Sequence, residues 1–228
     1  MAKYNWFIFK NWLSWKTRNR WSYWKYQKIK ESNLIKTSNL NDLDNISLNI
    51  LQRNDKTNTN YYNIIFIGGI GIGAKTSLIE RLINNKFIEN FSPTVGVFYR
   101  FKKVRLKNGK IIVLVLHDTC GQEYFISTIP IQSIKDSACL ILGFDAQDTF
   151  LEMKNLWYPY VKKFLNGQLI YLIRNKIDLV QDREAEGKEA RNFAEENKFR
   201  YFEMSCKTGE GVQKFFDDLI TQITKTYI

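Results

Sequence analysis

Gly68-Gly69-Ile70-Gly71-Ile72-Gly73-Ala74-Lys75-Thr76-Ser77 follows an apolar run at residues 64–67 and precedes Leu78-Ile79-Glu80-Arg81-Leu82-Ile83, whose apolar residues recur at helical spacing. A buried strand, a glycine-rich turn and a Lys-Thr pair at a helix start make a phosphate-binding loop. Glycines let backbone N–H groups turn toward one anion, and the helix N-terminus adds partial positive charge. Lys75 adds a full charge, and the Thr76 hydroxyl is a ligand for Mg²⁺. Two registers fit the pattern G-x-x-x-x-G-K-[ST]. Counted back from Lys75, Gly69 is the first glycine and Ala74 replaces the second. Counted from the glycines, Gly68 and Gly73 form the pair and Ala74 is one added residue. If the site needs positive φ at Ala74, the cost is about 1–2 kcal/mol.

Outward from this loop the chain divides into three zones. Residues 1–30 are basic and rich in Trp, Tyr and Phe. Residues 31–60 are polar and Asn-rich and read as a linker, with at most a short helix around Ile46 to Leu51. From Tyr61 to Ile228, strand and helix patterns alternate, as in a parallel sheet covered by helices. Strands are expected at residues 63–67, 97–106, 111–117, 138–144, 169–174 and 200–204. Helices are expected at 76–84, 149–165, 183–197 and 212–226, with a weaker one at 129–135. Asn108-Gly109 reads as a two-residue hairpin turn, so the second and third strands should run antiparallel. The expected fold is therefore α/β, a six-stranded and mostly parallel sheet with one antiparallel strand and helices on both faces.

Composition narrows the functional classes. The formal charge is +11, and eight of those charges (Lys3, Lys10, Lys16, Arg18, Arg20, Lys25, Lys28, Lys30) lie in the first 30 residues, which hold no Asp or Glu. The rest is nearly balanced, so nucleic acid is not an expected partner. Cys120, Cys139 and Cys206 lack metal-ligand spacing, and a reducing, cytoplasmic setting is the simple reading. No apolar run approaches the ~20 residues that span a bilayer. Residue 2 is Ala and no cysteine stands near Tyr227-Ile228, so lipid attachment at either end is not expected.

Four further motifs follow the loop in order: Pro93-Thr94-Val95-Gly96, Asp118-Thr119-Cys120-Gly121-Gln122-Glu123, Asn175-Lys176-Ile177-Asp178 and Ser205-Cys206-Lys207. All fall at strand C-terminal ends or in loops on that side, where open α/β sheets bind ligands. Asp178 has a specific chemical use. Guanine presents N1–H and N2–H₂ side by side, a carboxylate accepts both, and adenine offers no such pair. Asn175 and Lys176 would tie this base loop to the phosphate loop. Ser205-Cys206-Lys207 would meet the guanine carbonyl with a backbone amide.

With these boxes in place, the region from Tyr61 onward resembles the Ras-like small GTPases, P-loop NTPases, and among them the Rab branch. Thr76 and Thr94 stand 18 residues apart, as in that family. The resemblance implies GTP or GDP as ligand, with Mg²⁺. It implies a phosphate cradle of Gly69, Gly71, Ile72, Gly73, Ala74, Lys75, Thr76 and Ser77. Thr76 and Thr94 would supply hydroxyl ligands to Mg²⁺, with Asp118 acting through water. The amides of Thr94 and Gly121 would sense the γ-phosphate, and Gln122 would orient the attacking water as the catalytic residue. Phe87 would stack beneath the base, beside Asn175, Lys176, Asp178, Ser205, Cys206 and Lys207. Exchange factors, activating proteins and effectors are the implied partners, and vesicle or membrane trafficking the implied setting.

The chain departs from the Rab pattern on its partner-facing side. Val95-Gly96-Val97-Phe98-Tyr99 lacks an acidic residue, His117 replaces a Trp, and Ser133-Ile134 replaces paired tyrosines. His117 reads as a strand residue and Cys120 as a small buried thiol. If residues 4–15 were helical, Tyr4, Ile8, Phe9, Trp12, Leu13 and Trp15 would share a face opposite Lys3 and Lys10, which suits a membrane surface. An organelle presequence, an arm packed on the GTPase domain and a disordered tail are the other readings of this segment. Two rivals stand beside the GTPase reading. One is a non-hydrolysing guanine-nucleotide-binding scaffold acting through its N-terminal extension. The other is a P-loop ATPase or nucleotide kinase.

Overall fold

The computed structural model describes residues 60–89, 94, 97–121, 129, 131–180 and 183–228. The basic extension, all of the Asn-rich linker but Asn60, Pro93, Val95, Gly96, Gln122 and Glu123 lie outside the described residues.

Six strands form one sheet: β1 Asn60–Ile67, β2 Val97–Arg105, β3 Ile111–Thr119, β4 Cys139–Phe144, β5 Leu169–Arg174 and β6 Arg200–Glu203. Their order is β2-β3-β1-β4-β5-β6. Among the described residues only β2 and β3 pair antiparallel; every other pairing is parallel. The helices are α1 Thr76–Asn84, α2 Ile131–Lys135, α3 Gln147–Glu152, α4 Tyr158–Lys162, α5 Arg183–Glu196 and α6 Val212–Tyr227.

The central strands are apolar on both faces because helices cover both. Ile64 and Phe66 join Leu78, Leu82, Phe215 and Leu219 in one core, under α1 and α6. Ile65 and Ile67 alternate to the opposite face and join Phe150, Trp157, Val161 and Ala194. Each such aliphatic or aromatic side chain contributes about 1.5–3 kcal/mol on burial. β1 and β4 are therefore fixed from above and below, and the turns leaving their C-terminal ends inherit that rigidity.

Several boundaries differ from the sequence expectation. β1 starts at Asn60 rather than 63, because Tyr61 and Tyr62 extend the ladder opposite Val113 and Leu114. β3 runs on to Thr119, held by Val97 across the antiparallel pair. The hairpin loop has three residues, Lys107 to Gly109, closed by Gly109 N–H donating to Leu106 O at 2.9 Å. Gly109 alone takes the left-handed φ (82°), which is the type I turn with a following glycine rather than an Asn-Gly type I′ turn. The helix expected at 149–165 is three consecutive pieces, α3, a π-helical turn at Met153–Trp157, and α4.

Candidate nucleotide-binding site

The phosphate loop leaves β1 at Gly68 and enters α1 at Thr76. A Cβ on Gly68 would stand 2.5 Å from Gly143 O, so only glycine passes this close to β4. Gly71 (φ 73°) and Gly73 (φ 67°) take the left-handed geometry, and Ala74 does not. The loop thus draws its positive φ from Gly73, and the strain reckoned for Ala74 does not arise. Instead the Ala74 methyl is buried against β4, where a Cβ on Gly143 would meet it at 2.5 Å. The absent side chain at 143 makes the room that the methyl at 74 fills.

Lys75 Nζ donates to Gly68 O at 2.8 Å and to Gly69 O. Burial lowers its pKa to about 8, against the opposing pull of Asp118, Cys120, Glu152 and Asp145. Next to it, Thr76 Oγ1 donates to Asp118 Oδ2 at 2.8 Å and lies 3.1 Å from Thr94 Oγ1. Asp118 Oδ1 is buried and has no hydrogen-bond partner among the described residues. Burial raises the Asp118 pKa to about 6, partly offset by the Thr76 hydrogen bond and by Lys75. Two hydroxyls and a carboxylate, one of whose oxygens is orphaned, form a set of hard oxygen donors, and such a set fits Mg²⁺.

The second end of the site comes from β5 and β6. Asn175 Nδ2 donates to Ile72 O at 3.0 Å, which ties the base loop to the phosphate loop. Cys206 N–H donates to Asn175 Oδ1 at 3.0 Å, so this amide holds Asn175 in place. Lys176 sits in the left-handed region (φ 59°), and its Nζ pairs with Asp145 Oδ2 at 2.6 Å. Its charged tie is therefore to the end of β4, not to the phosphate loop. Asp178 Oδ1 is the second buried carboxylate oxygen without a partner among the described residues.

One cavity of about 440 Å³ joins the two ends. Among the expected residues, Gly71, Gly73, Lys75, Thr76, Ser77, Phe87, Thr94, Gly121, Asn175, Lys176, Asp178 and Lys207 line it. Gly69, Ile72, Ala74, Asp118, Ser205 and Cys206 are not in its wall; Asp118 accepts from the lining Thr76, Gly69 O accepts from Lys75, and Ile72 O and the Cys206 amide hold Asn175. Gln122 lies outside the described residues. A sequence model of the Ras family matches residues 63–225. The chain belongs to the Ras family.

Among curated relatives of this Ras-family domain, the Ras-related protein RabC of Dictyostelium discoideum is 35% identical over 169 residues, covering 72% of this chain and 85% of RabC. Ras-related protein Rab-21 of Mus musculus is 32% identical over 168 residues, covering 72% of this chain and 74% of Rab-21. Ras-related protein Rab-1 of Theileria parva is 34% identical over 158 residues, covering 68% and 70% respectively. The domain is thus a Rab-like member of the Ras-like small GTPases, with their P-loop fold.

Sequence reasoning missed several residues of the site. Ile70, Ile88, Glu89 and Leu179 line the cavity, and Leu179 is 71% exposed. Arg81, on α1, donates from Nε to Cys206 O at 2.9 Å and from a terminal nitrogen to Lys207 O at 2.8 Å, bracing the base loop. Nothing in the local pattern marks Arg81, since its partners are about 125 residues away. Ile134, in the position of a partner-facing tyrosine, is fully buried on the inner face of α2. His117 is also buried; its Nε2–H donates to Asn63 Oδ1 at 3.0 Å and its ring packs edge-on against Tyr99.

Proposed function

We propose that this domain is a molecular switch that binds GTP and GDP with Mg²⁺ and hydrolyses GTP slowly. The reading is supported above all by the two orphaned carboxylate oxygens, Asp118 Oδ1 beside Thr76 and Thr94, and Asp178 Oδ1 in the base loop, with Lys75 and one continuous cavity between them. A buried polar oxygen left without a partner costs about 1–3 kcal/mol, and that cost is recovered when a ligand supplies the missing donor or cation. Guanine N1–H and N2–H₂ supply it at Asp178. A divalent cation supplies it at Asp118, and when bound it offsets the negative charge of the phosphate oxygens.

The chain's own groups divide the remaining work. Lys75 and the loop amides bind and orient the phosphates. Phe87, together with the apolar Leu179 and Ile88 at the rim, shields the base from water. The backbone amides of Thr94 and Gly121 mark the third phosphoryl group, and Gln122 orients the attacking water. Because no arginine is supplied in the switches, unassisted turnover is expected on the order of 10⁻⁴–10⁻³ s⁻¹. Activating and exchange proteins then set the cycle, and effectors read the ordered switch. Membrane trafficking is the role that likeness to the Rab branch implies, and the basic aromatic extension is the segment that would contact a membrane surface.

Two measurements test this reading. Calorimetry on nucleotide-stripped protein with Mg²⁺ should give heat with GDP and GTP and none with ATP. Single-turnover phosphate release should exceed that of Gln122→Leu. Equal rates would leave the non-hydrolysing scaffold as the better account. For the extension, residues 1–228 should co-sediment with anionic liposomes and residues 61–228 should not.

A further inference from the structure

Glu152 closes α3, and the next five residues, Met153–Trp157, form the π-helical turn. In an α-helix, residues five apart diverge by roughly 140° around the axis. The wider π turn, with its i→i+5 bonding, brings them nearly into line. Trp157 is fully buried, and its Nε1–H donates to Glu152 Oε1 at 2.7 Å. No other hydrogen bond and no ion pair engages Glu152 among the described residues. Its carboxylate is thereby turned toward the phosphate loop. A Cβ on Gly69 would stand 2.8 Å from Oε2 and 3.2 Å from Oε1.

Gly69 is not a remote part of the loop. Its carbonyl accepts from Lys75 Nζ. A Cβ on Gly121 would meet Gly69 O at 2.6 Å and Lys75 Nζ at 2.7 Å. Glu152, Gly69, Lys75 and Gly121 therefore form one cluster, in which Lys75 and Gly121 line the phosphate end of the cavity and Gly69 and Glu152 stand outside its wall. A carboxylate there opposes the purpose of the loop, because it repels the oxygens that the loop collects. The opposition is unequal. A triphosphate carries one more negative charge than a diphosphate, and on the proposed reading of the site Lys75 and the Gly121 amide would meet its last phosphoryl group.

We infer that Glu152, oriented by Trp157 across the π turn, is a specificity-determining residue that weighs against the third phosphoryl group and biases the site toward the nucleoside diphosphate. The inference rests on the reading of the cavity as a guanine-nucleotide site. Glu152→Gln keeps the shape and the acceptor for Trp157 but removes the charge. In full-length, nucleotide-stripped protein with Mg²⁺, the GDP and GTP dissociation constants are measured by titration calorimetry. E152Q should move their ratio toward GTP by roughly fivefold, the size expected for one charge pair across a partly solvated gap. Glu152→Ala should move it by a similar factor, since it removes the same charge. If both variants keep the wild-type ratio while binding both nucleotides, the inference is wrong and the guanine-site reading stands. If only E152A shifts the ratio, packing rather than charge is responsible, and the inference is again wrong. If the wild-type protein binds neither nucleotide, both fail together.

Discussion

Gly143 and Ala74 offer a sharp test of how the phosphate loop is held. Gly143→Ala places a methyl 2.5 Å from the Ala74 methyl and 3.1 Å from Ile72 Cδ1. Carbon atoms in contact prefer about 3.5–4.0 Å, so one of the two elements must shift. β4 is buried on both faces and cannot give; the loop must. Overpacking of this kind costs about 1–3 kcal/mol. Ala74→Gly alone forfeits one buried methyl, about 0.8 kcal/mol, and adds glycine's backbone freedom, about 0.5–1 kcal/mol. In the double variant the added methyl occupies the space vacated at 74. Its cost should fall below the sum of the singles by about 1–2 kcal/mol, the range found for residues in direct contact. Urea unfolding of the four proteins, compared at equal m-values, gives the coupling energy. The same cycle read by GDP affinity should show G143A weakened and partly rescued by A74G, because Ala74 immediately precedes Lys75. Additivity of the four stabilities within about 0.5 kcal/mol would refute the proposed interlock.

Three further outcomes are expected. Asp178→Asn should weaken GTP and GDP binding about 100-fold or more, since one of two charge-assisted hydrogen bonds is replaced by a donor facing a donor; fluorescence titration with a labelled guanine nucleotide checks it. Arg81→Ala removes the brace on Cys206 O and Lys207 O, and should raise the dissociation constant for GDP about tenfold while leaving the Mg²⁺ requirement unchanged; a chelator titration separates the two effects. His117 is held neutral by burial, with its pKa lowered to about 3. The unfolded chain takes up that proton near pH 6.5, so its contribution is intact above 6.5 and lost as pH falls from there toward 3, at about 1.4 kcal/mol per pH unit. Asp118, raised to about 6, acts in the opposite sense between 6 and its ordinary value. The difference between wild type and His117→Gln in urea unfolding from pH 7 to 5 therefore isolates the histidine. A flat difference would show that the ring is not buried neutral.

The parts of this protein that were legible in its sequence are those fixed by neighbours in the chain. The second half of β1, residues 64–67, is an unbroken apolar run, α1 has an apolar stripe, and Asn108-Gly109 sits between two strand-forming runs. Thr76, Asp118, Asn175 and Asp178 carry their meaning in residue type and order. The illegible parts are fixed across the fold. The register of the phosphate loop was open between Gly69 and Gly68 until φ at Gly73 and Ala74 and the bond from Asn175 to Ile72 O were known. The π turn has no pattern of its own; an apolar stripe with one residue too many reads as an imperfect α-helix. Lys176 with Asp145, Arg81 with Cys206 O, and Glu152 beside Gly69 all depend on strand order, which brings distant residues to one sheet edge.

The Arg81 brace also gives α1 a second use. The helix begins with the hydroxyl of Thr76 at one end of the cavity, and Arg81, five residues on, clamps the loop at the other. At 1.5 Å per residue the two points are separated by about 7–8 Å along the axis. α1 is in this sense a gauge block: it sets the span between triphosphate and purine, and a residue inserted or deleted between Thr76 and Arg81 would leave a pocket of the right chemistry and the wrong length.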